Sequence, residues 1–336
     1  MSKQVLVTGA TGIVGSEVVA RLSRRSDVAV TAVSARGDAR RGVLAWRLGV
    51  ESPPPGTAGP WDAIVHAAAS TRWSMTSEEA VAANLRSVEA LAGLVRDDTR
   101  FVHLSTAHSI GHLGDVASDR LDDYRNSYEW SKAASERFVH DELADAVIVR
   151  FPIVIGRRAD GAITRFTGFY RLLKGFSSGL VPALVALPEA YLDMVPVDDV
   201  ASQVEKLAVG GRCAETSLVA IGGGRDALRV AEVLELSLST LNKWRGDQGI
   251  RAIGVPPLLT PEQWNRFFLP FAREHLSTVQ QRVVDLFKDF QPYLCLTTPF
   301  NVTDQIGDLE PALEKAVHYW IQRNPRAATA IPLPWK

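Results

Sequence analysis

Thr8-Gly9-Ala10-Thr11-Gly12-Ile13-Val14-Gly15 stands between the apolar run Val5-Leu6-Val7 and a helical pattern in which Val14, Val18, Val19 and Leu22 recur at short helical steps. The three glycines therefore fall in a strand-to-helix turn. There they permit a sharp reversal, close approach of backbone to a pyrophosphate and tight helix-to-strand packing, while the first N–H groups of the helix face the anion. A glycine spacing alone says little; the strand before it and the helix after it make it a dinucleotide fingerprint. Gly9, Thr11, Gly12, Ile13, Val14 and Gly15 are accordingly the expected phosphate-binding residues.

Outward from this turn, short apolar runs alternate with amphipathic segments, the pattern of βαβ units feeding a parallel sheet. Strands are expected at Val5–Thr8, Val28–Val33, Ala63–His66, Phe101–Ser105 and Ala146–Phe151, and Val81, Leu85, Val88, Ala92 and Val95 are spaced to line one helix face. The prolines and glycines from Ser52 to Pro60 read as a loop. The fold class is thus α/β, a Rossmann doubly wound parallel sheet. A nucleotide-binding domain is expected over residues 1–156, with 190–230 returning to it through possible strands at Asp193–Val197 and Ser217–Ile221. Residues 157–189 and 231–336 make a smaller, mainly helical C-terminal substrate-binding region. In it Thr260, Pro261 and Gln263 spell a helix start, Trp264, Phe267, Phe268 and Phe271 an aromatic stripe, with Pro270 interrupting or restarting that helix. A last helix is expected from about Asp308, burying Leu313, Val317, Trp320 and Ile321.

The second strand ends in Ser34-Ala35-Arg36, without the Asp or Glu that would bond an adenosine ribose. Arg36, backed by Arg40 and Arg41, would instead attract a 2′-phosphate, so the expected cofactor is NADP(H).

Tyr128 and Lys132 lie four residues apart in Asn126-Ser127-Tyr128-Glu129-Trp130-Ser131-Lys132, within a segment that continues as a helix. One turn puts both on the same face. An ammonium near a phenol favours phenolate, which lets tyrosine exchange a proton with a carbonyl or hydroxyl near neutral pH. The spacing by itself is common; its weight comes from order, because the glycine turn, the strand end His66-Ala67-Ala68-Ala69 and the tyrosine-lysine pair follow one another.

In that order the chain resembles an extended short-chain dehydrogenase/reductase over about its first 220 residues. The resemblance implies that His66, Ala67 and Ala68 lie beside the cofactor, that Thr106 of Leu104-Ser105-Thr106-Ala107 polarises the substrate oxygen, with Ser105 a poorer substitute, and that Tyr128 and Lys132 complete catalysis. It also implies that Lys132 binds the nicotinamide ribose and that Phe151, Pro152 and Ile153 contact nicotinamide. The runs His66 to Ser74 with Asn84, Ser105 to Ala107, and Asp193 to Val200 are similar to the fatty-acyl and thioester reductase branch, also called male-sterility-like. That branch implies reduction of an acyl thioester, carried on coenzyme A or a carrier protein, or of an aldehyde or ketone. A hydroxyl dehydrogenase, an epimerase or dehydratase that retains its cofactor, and a non-catalytic NADP-binding regulator are the rival readings. A homodimer is suggested by the resemblance alone.

Composition narrows the rest. With 336 residues, 46% hydrophobic and 22% charged, and a net charge of −1, the chain has the balance of a soluble globular enzyme and no nucleic-acid footprint. No apolar run is long enough to span a bilayer, Lys3 and Gln4 leave no room for a leader, and a cytoplasmic home is expected. Cys213 and Cys295 lack partners at ligand spacing, so no metal is expected. His103, His108 and His112 cluster near the fifth strand, yet no nearby carboxylate completes a triad, and they are assigned no chemistry.

Overall fold

The structure, a computed structural model, describes residues 2–178, 183–211, 217–276, 278, 281, 284–285 and 288–331. Cys213 and the side chain of Phe271 lie outside the described residues. The chain folds as two compact units, Met1–Pro152 with Val197–Ile221, and Ile153–Pro196 with Gly222–Lys336.

The chain begins with β1 (Lys3–Thr8), α1 (Ile13–Leu22), β2 (Val28–Ser34), β3 (Leu44–Ala45) and β4 (Ala63–His66). The helical stretch α2 comprises Ser77–Ala80, a π turn over Val81–Leu85, and Arg86–Ala92. Next come β5 (Arg100–Leu104), α3 (Ser127–Glu142) and β6 (Ala146–Arg150). The second unit's β7 (Ile153–Ile155), α4 (Phe169–Ser177), β8 (Leu184–Val185) and β9 (Met194–Pro196) intervene before α5 (Val197–Val209) and β10 (Ser217–Gly222) return to the first.

In the first unit the strands are parallel and ordered β10-β6-β5-β4-β1-β2-β3. After β1 the chain steps to one side for β2 and then crosses to the other for β4, so the glycine turn sits where the strand order reverses, the place where such sheets bind ligands. Helix α1 packs against α5, and α2 against α3. Side chains alternate across the sheet along each strand. Leu6, Ile64 and Phe101 join Val88 and Leu91 of α2 and Val139 of α3 in one apolar core, while Ala10, Ala32 and Val43 pack with Val19 of α1 in another cluster.

The five expected strands up to β6 form within two residues of their predicted ends, and Ser217–Ile221 returns to the sheet as β10; the segment Asp193–Val197 does not, since β9 pairs with β7 in a separate two-stranded sheet. Helix α2 departs from prediction in one respect. Its π turn inserts a residue into the helical repeat, so Val88 and Leu91 are fully buried, Val81, Leu85 and Ala92 only partly, and Val95 lies past the end.

In the second unit, β7 pairs with β9, and after them α6 (Val230–Asp247) packs against a later helix over Leu309–Arg323. That later helix buries Leu313, Val317, Trp320 and Ile321 as the pattern predicts. Thr260 caps its helix reciprocally with Gln263, with Pro261 in the first turn, and the helix runs on through a π turn over Trp264–Phe268 into Leu269–His275, so Pro270 does not interrupt it. The aromatic stripe is not one surface: Trp264 and Phe268 stack with ring centroids 4.4 Å apart, while Phe267 is 65% exposed. Among the described residues no helix is long and apolar enough to cross a membrane.

Candidate active site

The three glycines of the turn do different work. Gly9 has a positive φ of 65°, and a Cβ on it would lie 2.6 Å from the Ala67 carbonyl. It thereby lets the turn press against the strand end His66-Ala67-Ala68. A Cβ on Gly15 would lie 2.3 Å from the Gly9 oxygen, so this glycine lets α1 close onto the turn. Gly12 is the least confined, its nearest neighbour the Gly9 oxygen at 3.0 Å. Gly12 itself precedes Ile13, Val14 and the rest of α1, whose start has no side-chain cap and no acid in its first turn. A helix N-terminus left in this state favours an anion. Ala10 donates to the Val33 carbonyl at 3.0 Å, tying the turn to the end of β2.

At that end Arg36 is exposed and Ser34 is buried, with its Oγ lacking any hydrogen-bond partner. A buried hydroxyl without a partner carries a desolvation cost. A ligand reaching the end of β2 would relieve it, so the residues present fit a dinucleotide.

Strand register builds the next layer. Thr8 is paired with His66 and His66 with His103. Each lies two residues beyond Leu6, Ile64 or Phe101, hence on the same face, where the apolar row gives way to a polar one. Thr8 Oγ1 and His66 Nδ1 are 2.8 Å apart, and the His66 and His103 rings stack at 5.4 Å. The proton positions follow by elimination. Ser87 donates its hydroxyl to the Asn84 carbonyl at 2.7 Å, so its contact with His66 Nε2 at 3.2 Å has the imidazole as donor. Nδ1 therefore accepts from Thr8, whose oxygen accepts from the Ala68 N–H at 3.3 Å. Burial, with the Lys132 charge second, pushes His66 down to about 3 and keeps it neutral.

Asn84 sits in the π turn of α2. Its Oδ1 accepts from Ser70 N at 2.7 Å, and its Nδ2 donates to Ser70 O at 3.1 Å and to Ser131 Oγ on α3 at 2.8 Å. This one side chain joins the loop after β4 to the helix that carries Tyr128 and Lys132.

That helix starts at Asn126, whose side chain caps Glu129 N at 3.1 Å. Tyr128 and Lys132 share a face as the spacing requires. Thr106, just past β5, lies near enough to the Tyr128 phenol to influence it, and the neighbouring Ala107 N–H donates to Phe151 O at 2.9 Å. Ser105 turns away: its hydroxyl donates to Glu136 of α3, which Arg150 also grips through Nε and Nη2. Pro152 ends the first unit, and Ile153 opens β7 in the second.

The expectation that the lysine would lower the tyrosine's pKa does not hold here. Tyr128 is only partly covered, yet the protein packed around its hydroxyl pushes the phenol well above its usual value, against the opposing influence of Thr106, and Glu129 and Glu136 push the same way. Lys132 Nζ instead donates to the Leu104 carbonyl at 2.7 Å and lies 3.0 Å from His103 Nε2. Burial lowers Lys132 to about 8, with Glu136 opposing. His103 is thus a member of the site that the sequence reading passed over. The signal was available, since a buried strand position in line with His66 faces the same helix. His108, whose backbone N–H donates to Thr106 Oγ1 at 3.3 Å, is pushed down to about 3 by burial and Arg125.

Among known proteins, residues 57–204 match the family described as Male sterility protein. No curated protein sequence matches the chain. Solved structures resemble it in fold. The terminal R domain from the myxalamid PKS-NRPS biosynthetic pathway is 18% identical with a TM-score of 0.68, covering 97% of this chain and 92% of that one. The PhqB reductase domain from Penicillium fellutanum is 17% identical with a TM-score of 0.66, covering 96% and 94%. MoeE5 in complex with UDP-glucuronic acid and NAD is 21% identical with a TM-score of 0.61, covering 96% and 99%. The chain thus shares its fold with these structures, and residues 57–204 carry the pattern of the male-sterility-like family, a branch of the extended short-chain dehydrogenases/reductases.

Proposed function

We propose that the protein is an NADP(H)-dependent reductase of a carbonyl group borne on an apolar chain, an acyl thioester on coenzyme A or a carrier protein, or an aldehyde or ketone. The observation that carries this reading is the placement of Thr106 beside the Tyr128 phenol, itself one helical turn from Lys132, in the unit that holds the glycine turn. When bound, the nicotinamide supplies hydride. The protein's own residues do the rest: the turn and the start of α1 bind the diphosphate, and Arg36 with Ser34 receives the adenosine 2′-phosphate. His66, Ala67 and Ala68 flank the cofactor, with Phe151, Pro152 and Ile153 beside its nicotinamide. Lys132 holds the ribose as an ammonium.

Two hydroxyls, Thr106 and Tyr128, present donors to one carbonyl oxygen. A phenol pushed up by burial stays protonated at neutral pH. It is therefore suited to giving a proton to an oxygen that gains negative charge, which favours reduction. The likeness to reductase domains supports the same chemistry, and the mainly helical second unit is assigned to substrate selection.

The test is a panel of octanoyl-CoA, octanal, 2-octanone, 2-octanol and UDP-glucose, followed at the reduced-nicotinamide absorbance band with NADPH and NADH. Consumption of NADPH with the thioester or a carbonyl is expected. Conversion of UDP-glucose without net consumption would replace this reading by an epimerase.

A further inference from the structure

We propose that His103 is a positioning residue for Lys132: its Nε2 accepts a hydrogen bond from the ammonium and so fixes where that side chain lies and that it stays charged. The inference rests on the reading above only in assigning Lys132 to the cofactor ribose.

The geometry is specific. The β4–β5 register places His103 beside His66, and Lys132 reaches down from α3 to two acceptors, the Leu104 carbonyl at 2.7 Å and His103 Nε2 at 3.0 Å. An ammonium has three N–H donors and no acceptor. Two are engaged on β5, which leaves one for a ligand and removes the freedom of a four-carbon chain to swing.

The ring is in the right state to accept. His103 is fully buried, and burial first, then the Lys132 charge, then His66, hold it well below its ordinary value, hence neutral. With an ammonium against Nε2, the ring proton sits on Nδ1, which is buried without a hydrogen-bond partner. An apolar side chain would fill this position without that penalty. The contact with Lys132 is what the imidazole gains in exchange.

The other titratable groups around the pair do not take over this part. His66 is neutral and engaged at both nitrogens. Glu136, one turn along α3, raises Lys132 but is bonded to Ser105 and Arg150. Tyr128, one turn back, is held protonated. Among the described residues no carboxylate bonds Nζ directly, so the neutral acceptors on β5 set the balance against burial.

Two measurements test this on the full-length protein. In the first, nitrogen-15 histidine spectra read the tautomer of His103, assigned by its loss in His103→Gln. The expected result is a ring neutral throughout its ordinary titration range, protonated at Nδ1, whose Nε2 signal moves as Lys132 titrates near pH 8 and stops moving in Lys132→Met. An Nε2–H tautomer, or an imidazolium at neutral pH, would overturn the proposal.

In the second, NADPH affinity is followed by fluorescence from about pH 6 to 9.5. His103→Phe should move the alkaline loss of affinity about one pH unit lower, an approximately fivefold loss at pH 8 that approaches tenfold above about pH 9, and His103→Gln, which keeps an acceptor, should restore most of it. A uniform loss at every pH would make His103 merely structural and sink the idea. Failure of the wild type to bind NADPH would instead overturn the cofactor reading, and the histidine spectra would still decide the tautomer.

Discussion

Arg150 at the end of β6 and Glu136 on α3 form a forked pair, with Nη2 to Oε2 at 2.5 Å and Nε to Oε1 at 3.1 Å, and the Glu136 side chain is 1% exposed. Because Glu136 lies one turn beyond Lys132, this pair fixes the rotation of the helix that presents both Lys132 and Tyr128. Removing one partner leaves the other buried and unpaired. Glu136→Leu should therefore lose about 3–5 kcal/mol of stability in urea titration, and the double change Glu136→Leu with Arg150→Met should recover much of it. Equal losses in the single and double variants would deny the pair this role.

Tyr128→Phe removes the proton that the site holds in place and keeps the ring. Turnover of whichever panel substrate is reduced should fall by at least about a hundredfold, within the range of general acid catalysis, while NADPH binding changes by less than about threefold. Thr106→Val should cost less, about tenfold, because one of two donors to the oxygen remains. Unchanged turnover in Tyr128→Phe would refute its role.

The glycines should separate folding from binding. Adding a methyl at Gly15 drives it into the Gly9 carbonyl, so Gly15→Ala should cost about 2–3 kcal/mol by overpacking. Gly12→Ala meets that oxygen only at 3.0 Å. It should leave thermal stability nearly unchanged yet weaken NADPH binding more than about tenfold, because the methyl faces the anion.

Arg36→Ala tests the cofactor choice. An exposed guanidinium contributes little to stability, so the melting temperature should not move. NADPH affinity should fall about tenfold while NADH affinity holds, the difference being one charged contact to the 2′-phosphate. Parallel loss of both affinities would remove Arg36 from that contact.

Acid should destabilise the fold in a defined window. His66, His103 and His108 have folded values far below 6.5, so between about pH 6.5 and 5 the unfolded chain binds protons that the native chain does not. Asp193 has the opposite sign. Burial raises it to about 6 in the fold even though the Gly223 and Gly224 N–H groups bond it, so the native state takes up its proton first. The net is two protons favouring unfolding, and stability should fall by about 3 kcal/mol per pH unit as pH drops through that window. A flat pH profile from 7 to 5 would show that the histidines titrate freely.

Much of this was legible in the chain itself. The glycine turn, the strands and the Tyr128–Lys132 face follow from local patterns of two or about four residues, and local patterns are what a sequence displays. His103, by contrast, meets Lys132 only through the pairing of β4 with β5 and the packing of α3, a relation between residues 29 apart. The same holds for Ser105, which looks like a second active-site hydroxyl until Glu136 claims it. The π turn at Asn84 was hidden because a single inserted residue barely disturbs apolar spacing. The failed expectation about the Tyr128 phenol has the same root: burial outweighs a neighbour's charge, and burial is a tertiary property.

The chain of hydrogen bonds through Thr8 and His66 has both ends on backbone, the Ala68 amide and the Asn84 carbonyl. Every proton along it points the same way, and neither terminus can release or accept one at ordinary pH. Two stacked imidazoles next to a titrating lysine would in another setting conduct protons. Here one of the two is locked as an insulator, so Tyr128 has no route for regaining a proton through His66 and β4.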